Sequence, residues 1–164
     1  YNMALIKLNN NSISAVTELP SGISGQNYPA FTAYMSSDVS LSNNTFTKLQ
    51  FDTEEFDTDN CYDATTNYRF TPTVAGKYMF FASVQISTDR DFNNYILRFL
   101  KNGSAFREVQ AAHHHYEMKQ LVTTAEANGS TDYFEVQVKQ DSGITVNARG
   151  NQDETYFGAY KIIE

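Results

Sequence analysis

The sequence predicts an all-β sandwich, and three observations carry that expectation. Of the 164 residues, 12 are Phe and 11 are Tyr while none is Trp, and such rings suit a pleated, half-buried surface. From Lys77 to Ile86 the chain alternates with period two. Tyr78, Phe80, Ala82, Val84 and Ile86 fall on one face, and Lys77, Met79, Phe81, Ser83 and Gln85 on the other, a periodicity no helix can use. Finally, the apolar stretches are short and separated by turn residues. Among these are Asn102-Gly103 and Asn128-Gly129, the strongest short-range hairpin signal, and no amphipathic helix of convincing length interrupts the series.

Taken in order, residues 1–27 differ from the rest of the chain. Met3 to Leu8 is a short apolar run, Asn9 to Asn11 a polar break, and Pro20, Ser21, Gly22, Ser24 and Gly25 a breaker-rich link. They read as an N-terminal arm and linker ahead of one domain over residues 28–164. After the strand that begins beyond Gly76, further strands are expected over Asn94 to Leu100, Lys119 to Thr124, Tyr133 to Lys139, Ile144 to Ala148 and Thr155 to Ile163. Tyr78 and Phe80, with Phe134 and Val136 on a matching face, are the expected core between two sheets. Met79 and Phe81 lie on the opposite face, where a monomeric sandwich would show water polar side chains. They mark a candidate oligomer interface.

Composition excludes several function classes. Hydrophobic residues make up 41% of the chain, enough for a core, and the formal net charge is −7. An acidic chain without clustered Lys and Arg is a poor partner for nucleic acid and for an anionic membrane surface. No apolar run reaches the roughly 18 residues of a spanning helix. Cys61 is the single cysteine, so no intramolecular disulfide forms, and its acidic surroundings disfavour the thiolate.

Specific residues then add to the pattern. Pro29-Ala30-Phe31, Tyr62-Asp63, Asn67-Tyr68-Arg69-Phe70, Gly76-Lys77-Tyr78-Met79-Phe80, Lys101-Asn102-Gly103, Asp132-Tyr133-Phe134-Glu135-Val136 and Tyr156-Phe157-Gly158-Ala159-Tyr160 occur in this order. The ordered set resembles the globular head domain of complement component 1q, and its closing strand resembles the end of tumour necrosis factor. That resemblance implies a jelly roll of about ten strands, a tight homotrimer with one sheet facing the threefold axis, and non-catalytic binding of proteins, glycans or receptors. There are departures. Asn67 or Tyr68 replaces a turn glycine, Ser130-Thr131 stands where the family has Gly, and the family's collagen-like stalk and disulfide cysteines are absent. Residues Ala4 to Thr17 instead resemble leader segments of fibre and appendage proteins in tailed phages.

Other candidate chemistry is thin. His113-His114-His115 is the one cluster of metal-ligand type, but neighbours in a strand point to opposite faces, so the segment reads as a solvated loop unless a threefold axis gathers one His per subunit. Asp52, Glu54, Glu55, Asp57, Asp59 and Asp63 match no calcium-loop spacing, and no nucleophile–base motif appears. Sequons at Asn10, Asn43, Asn102 and Asn128 matter only in a secretory source. No cofactor, metal or catalytic residue is expected. The reading is a non-enzymatic trimeric virion-surface protein, a fibre head or appendage of a tailed phage. Its partners would be itself, other virion proteins through the N-terminal arm, and a host receptor bound by the loops distal to that arm, around His113–His115 and Asn147–Glu154. The alternative is a secreted complement-type recognition module acting by multivalent binding.

Overall fold

The computed structural model describes residues 27–162, so the arm over residues 1–26 lies outside the described residues. The described residues form thirteen strands: β1 (Ala30–Tyr34), β2 (Val39–Leu41), β3 (Thr47–Lys48), β4 (Thr53–Asp57), β5 (Tyr62–Asp63), β6 (Arg69–Phe70), β7 (Ala75–Ser87), β8 (Phe92–Lys101), β9 (Ser104–His113), β10 (Met118–Asn128), β11 (Phe134–Gln140), β12 (Val146–Ala148) and β13 (Tyr156–Lys161). The count exceeds ten because β3, β5 and β6 are two-residue pieces. The first sheet runs β2-β12-β7-β13-β1-β4, with β10 also on β7, and the second runs β5-β6-β11-β8-β9, with β3 on β11. Between β7 and β12 the chain changes sheet at every connection except the β8–β9 hairpin. Two antiparallel sheets laced by such crossings make a jelly roll.

Alternation explains the central strand. Tyr78, Phe80, Ala82, Val84 and Ile86 of β7 are buried, and Phe134, Val136 and Val138 of β11 meet them from the second sheet. The Phe80 and Phe134 ring centroids are 4.3 Å apart. Phe31 stacks on Tyr62 and on Phe70, each at 4.6 Å, and meets Phe157 edge-on at 4.9 Å. Each fully buried ring of this size contributes roughly 1.5–3 kcal/mol by leaving water, and a well-oriented ring pair adds about 0.5–1.5 kcal/mol. The abundant Phe residues therefore fill most of the space between the sheets.

Two polar side chains in the core, Tyr95 and Gln140, are hydrogen-bonded within it. The Tyr95 hydroxyl donates to the Val84 carbonyl at 2.6 Å, and the Gln140 amide donates to the Leu41 and Ile144 carbonyls. Burial pushes the Tyr95 hydroxyl pKa far up, so it remains a donor across the physiological range.

The turns follow their chemistry. Asn102 (φ 53°) and Gly103 (φ 77°) are both left-handed, as a two-residue hairpin joining β8 to β9 requires. At Gly129 (φ 72°) a Cβ would collide with the Val74 and Ala75 backbone. In the turn before β6, Tyr68 takes the left-handed conformation (φ 47°). Asp63 caps that turn by accepting from the Thr65, Thr66 and Asn67 amides, and these bonds hold its carboxyl well below the usual range.

Strand β9 has no counterpart in the sequence-based expectations. Among the described residues it is an edge strand bonded only to β8, and its mostly exposed side chains show no period-two burial. The reading of His113–His115 as a solvated loop needs correction at its first residue. His113 ends β9 and is fully buried, while His114 and His115 are exposed.

Candidate functional site

The outward face of the first sheet is built by register. Directly opposed residues in an antiparallel pair share a face. Met79 lies opposite Tyr160 of β13 and Thr124 of β10, Phe81 opposite Gly158 and Val122, and Ser83 opposite Tyr156 and Gln120. The row continues through Thr32 of β1, opposite Gly158, to Phe56 of β4. Met79 and Phe81 therefore stand at the centre of an aromatic and aliphatic strip. Val122 is 56% exposed, Phe56 49% and Met118 40%. Lys77 and Glu126, opposed to one another, lie at one end of the β7–β10 pair.

Glycine shapes this face. The Phe81 ring lies over Gly158, where a Cβ would overlap Phe81 Cζ and come within 2.9 Å of the Phe31 carbonyl oxygen. Phe81 also meets Tyr156 edge-on at 6.3 Å, and the Tyr160 hydroxyl donates to the Met79 sulfur. Gly158→Ala is expected to drive the ring off the sheet and cost about 1–3 kcal/mol, the usual range for overpacking. Urea denaturation reads this directly, and an alanine variant as stable as the native protein would contradict the packing.

Loops gather at the two ends. Residue 27 and the start of β1 lie at the end that also holds Ala75, the 102–103 hairpin and the 128–132 turn, as the pairing of Ala30 with Tyr160 and of Ala75 with Asn128 requires. The opposite end carries residues 88–91, 114–117 and 149–155, together with 36–38. Tyr116 N–H donates to the Thr88 carbonyl at 3.1 Å, the Gln85 amide donates to the Tyr116 carbonyl at 2.9 Å, and Arg149 pairs with Glu154 at 3.1 Å. His115 (φ 38°) and Tyr116 (φ 60°) are both left-handed, an unfavourable conformation for side chains with a Cβ. The His113–His115 and Asn147–Glu154 segments thus lie at the same end, away from residue 27.

The acidic run serves local structure. Asp52 accepts from the Ser36 amide and hydroxyl, Asp57 from the Asp59 and Tyr62 amides, and Asp59 from the Thr73 hydroxyl. Glu54 lies on the edge strand β4, where burial and the nearby Asp57 and Asp63 raise its pKa. Among the described residues no three His, Cys, Asp or Glu side chains converge on one point to hold a metal ion. Cys61 is buried, and burial pushes its thiol up. The sequon asparagines are likewise engaged. Asn102 bonds Asp132 and the Tyr133 amide, Asn128 accepts from the amides of residues 130, 131 and 132, and Asn43 accepts from Gly143. Asn10 lies outside the described residues.

No protein-family model matches the chain, and no curated protein matches it in sequence. Solved structures do. The PRD1 vertex protein P5 is similar with a TM-score of 0.61 at 14% identity, over 84% of this chain and 99% of that one. Murine APRIL gives 0.59 at 10% identity, over 81% and 98%. The globular domain of zebrafish complement 1qA protein gives 0.52 at 14% identity, over 83% and 98%. The fold is accordingly the jelly roll shared by tumour necrosis factor-like and complement 1q-type domains.

Proposed function

We propose that this chain is a non-enzymatic homotrimeric head on the surface of a virion, with the outward face of the first sheet packed around the threefold axis. The observation that carries the trimer is the apolar strip centred on Met79 and Phe81, with Val122 and Phe56 exposed beside it. A second copy of the chain is the occupant that fits best, because three equivalent edges closing on one axis cover the same strip on every subunit. Covering such a strip removes apolar area from water at roughly 25 cal/mol per Å². The virion assignment draws on the likeness to the PRD1 vertex protein and on the phage-like leader over residues 4–17. The arm over residues 1–27 is the anchor in this reading, joining other virion proteins. The loop end away from residue 27 then faces outward and carries attachment to a host receptor, where three copies raise avidity through effective concentration.

A host-binding assay tests the attachment role. Purified protein is incubated with host and non-host cells and its retention compared. Preferential retention on host cells, lost when Tyr116 and His114 are both replaced by alanine, is the expected result. Equal retention on both, with particles that remain infectious after deletion of the domain, would leave only the structural role. A secreted recognition module would instead bind without any particle, and labelled antibody that finds the protein off the virion would favour it.

A further inference from the structure

At the loop end, a cluster of buried polar groups sits between the edges of the two sheets. His113 closes β9 and is fully buried. Its ring stacks on Phe92 at 4.6 Å and 18°, and meets Tyr95 edge-on at 5.8 Å. Neither ring nitrogen makes a close hydrogen bond among the described residues. Lys119 of β10 is buried next to it. Its ammonium donates to the Ala112 carbonyl at 2.8 Å and to Glu117 at 2.7 Å, and stands 5.6 Å from the Tyr95 ring. Because β10 belongs to the first sheet and Ala112 to the second, this lysine ties the two edges together where the 114–117 turn departs.

We infer that His113 is an acid-sensitive latch, whose neutral ring packs the turn shut and whose protonation frees the loop bearing His114, His115 and Tyr116. An imidazolium here would put a second cation beside the Lys119 ammonium, with the Thr88 backbone near one N–H donor and no acceptor for the other, in a slot walled by Phe92 and Tyr95. Burying a charge with an N–H left unpartnered is strongly unfavourable. The groups facing the ring are Glu117 and Lys119 from the β10 side, the Thr88 backbone and Asp91 from the β7–β8 loop, and Phe92 and Tyr95 from β8. Burial, the largest influence, lowers the His113 pKa and Lys119 lowers it further. The Thr88 backbone, Glu117 and Asp91 pull it up, and the net direction is down. A histidine held neutral in the closed form contributes fully above its open-form pKa of about 6.5, and that contribution is lost as pH falls from there toward the closed-form value. The proton comes from solvent, and the bonds released are those from Tyr116 to Thr88 and from Gln85 to Tyr116. The inference concerns a single chain and does not rest on the trimer or on attachment.

Amide hydrogen exchange on the full chain, corrected for intrinsic rates, tests it at about pH 7.5 and about pH 5.5, either side of the ordinary histidine pKa. Exchange over residues 112–119 is expected to rise at the lower pH, by up to about tenfold, because the pH then lies about one unit below the opened ring's ordinary pKa and the proton traps that ring. In His113→Phe, which keeps the stack and removes the proton site, the rise should vanish. No rise in the native protein, or an equal rise in the phenylalanine variant, would overturn the latch. If that variant does not fold, a side-chain NMR titration of native His113 decides. A midpoint below the ordinary histidine value, shared with shifts of the 114–117 amides, supports the latch. An ordinary midpoint, or loop shifts that ignore it, overturns it.

Discussion

Truncating Phe80 to alanine is expected to destabilise the domain by about 3–5 kcal/mol, the usual cost of removing a buried aromatic side chain. The ring is fully buried, and three rings of the facing sheet surround it: Phe134 at 4.3 Å, Phe99 at 6.1 Å and Phe70 at 6.2 Å. Ring and partners sit on four separate strands, so no single side chain can move in to fill the void. The remaining rings would line a cavity, and the residual volume adds to the lost transfer free energy. Stabilities of small domains are about 5–15 kcal/mol, so this one change consumes a large share. Chemical denaturation of the native and variant proteins checks it, and a loss below about 1 kcal/mol, the low end for any core truncation, would mean that Phe80 does not fill the space between the sheets.

Phe81→Asp should act on assembly and leave the subunit folded. Phe81 is the next residue along β7 but faces outward over Gly158, half-buried within one chain. In an isolated subunit a carboxylate there still reaches water. At the proposed axis it would be buried without a partner in each of three subunits, and a one-sided buried charge costs roughly 3–5 kcal/mol. The expected outcome is a monomer with the β-sheet circular dichroism of the native protein. A variant that stays trimeric and equally stable would show that the axis runs elsewhere. Adjacent residues on one strand thus separate two quantities: Phe80 reports on the fold and Phe81 on assembly.

How far the sequence reaches depends on which physical signal each residue leaves. In β7 the period-two pattern is strong because one face meets the core through Tyr78, Phe80 and Val84, so strand and register can be read directly. β9 leaves no such signal. As an edge strand bonded on one side only, it exposes residues on both faces, and Phe106 and Val109 are only half-buried among them. The outward strip is legible at Met79 and Phe81, which stand out against their own strand. Val122, Tyr156, Tyr160 and Phe56 join it only through cross-strand pairing, which no local pattern encodes. His113 is hidden for a further reason. Two exposed histidines come directly after it, and only the β8–β9 register, which sets it opposite Phe92, reveals that it turns inward. Similarly, the acidic run from Asp52 to Asp63 looks like a ligand set in sequence, yet Asp52, Asp57, Asp59 and Asp63 spend their oxygens on backbone amides and hydroxyls of nearby turns.

The trimer is tested most directly by the solution mass of the native chain. Sedimentation equilibrium at concentrations of about 1–10 μM, where a stable interface of standard size remains closed, should return three times the 18.5 kDa subunit mass. A single species at 18.5 kDa across that range would contradict the account, leaving the Met79–Phe81 strip exposed to water and the homotrimer without support.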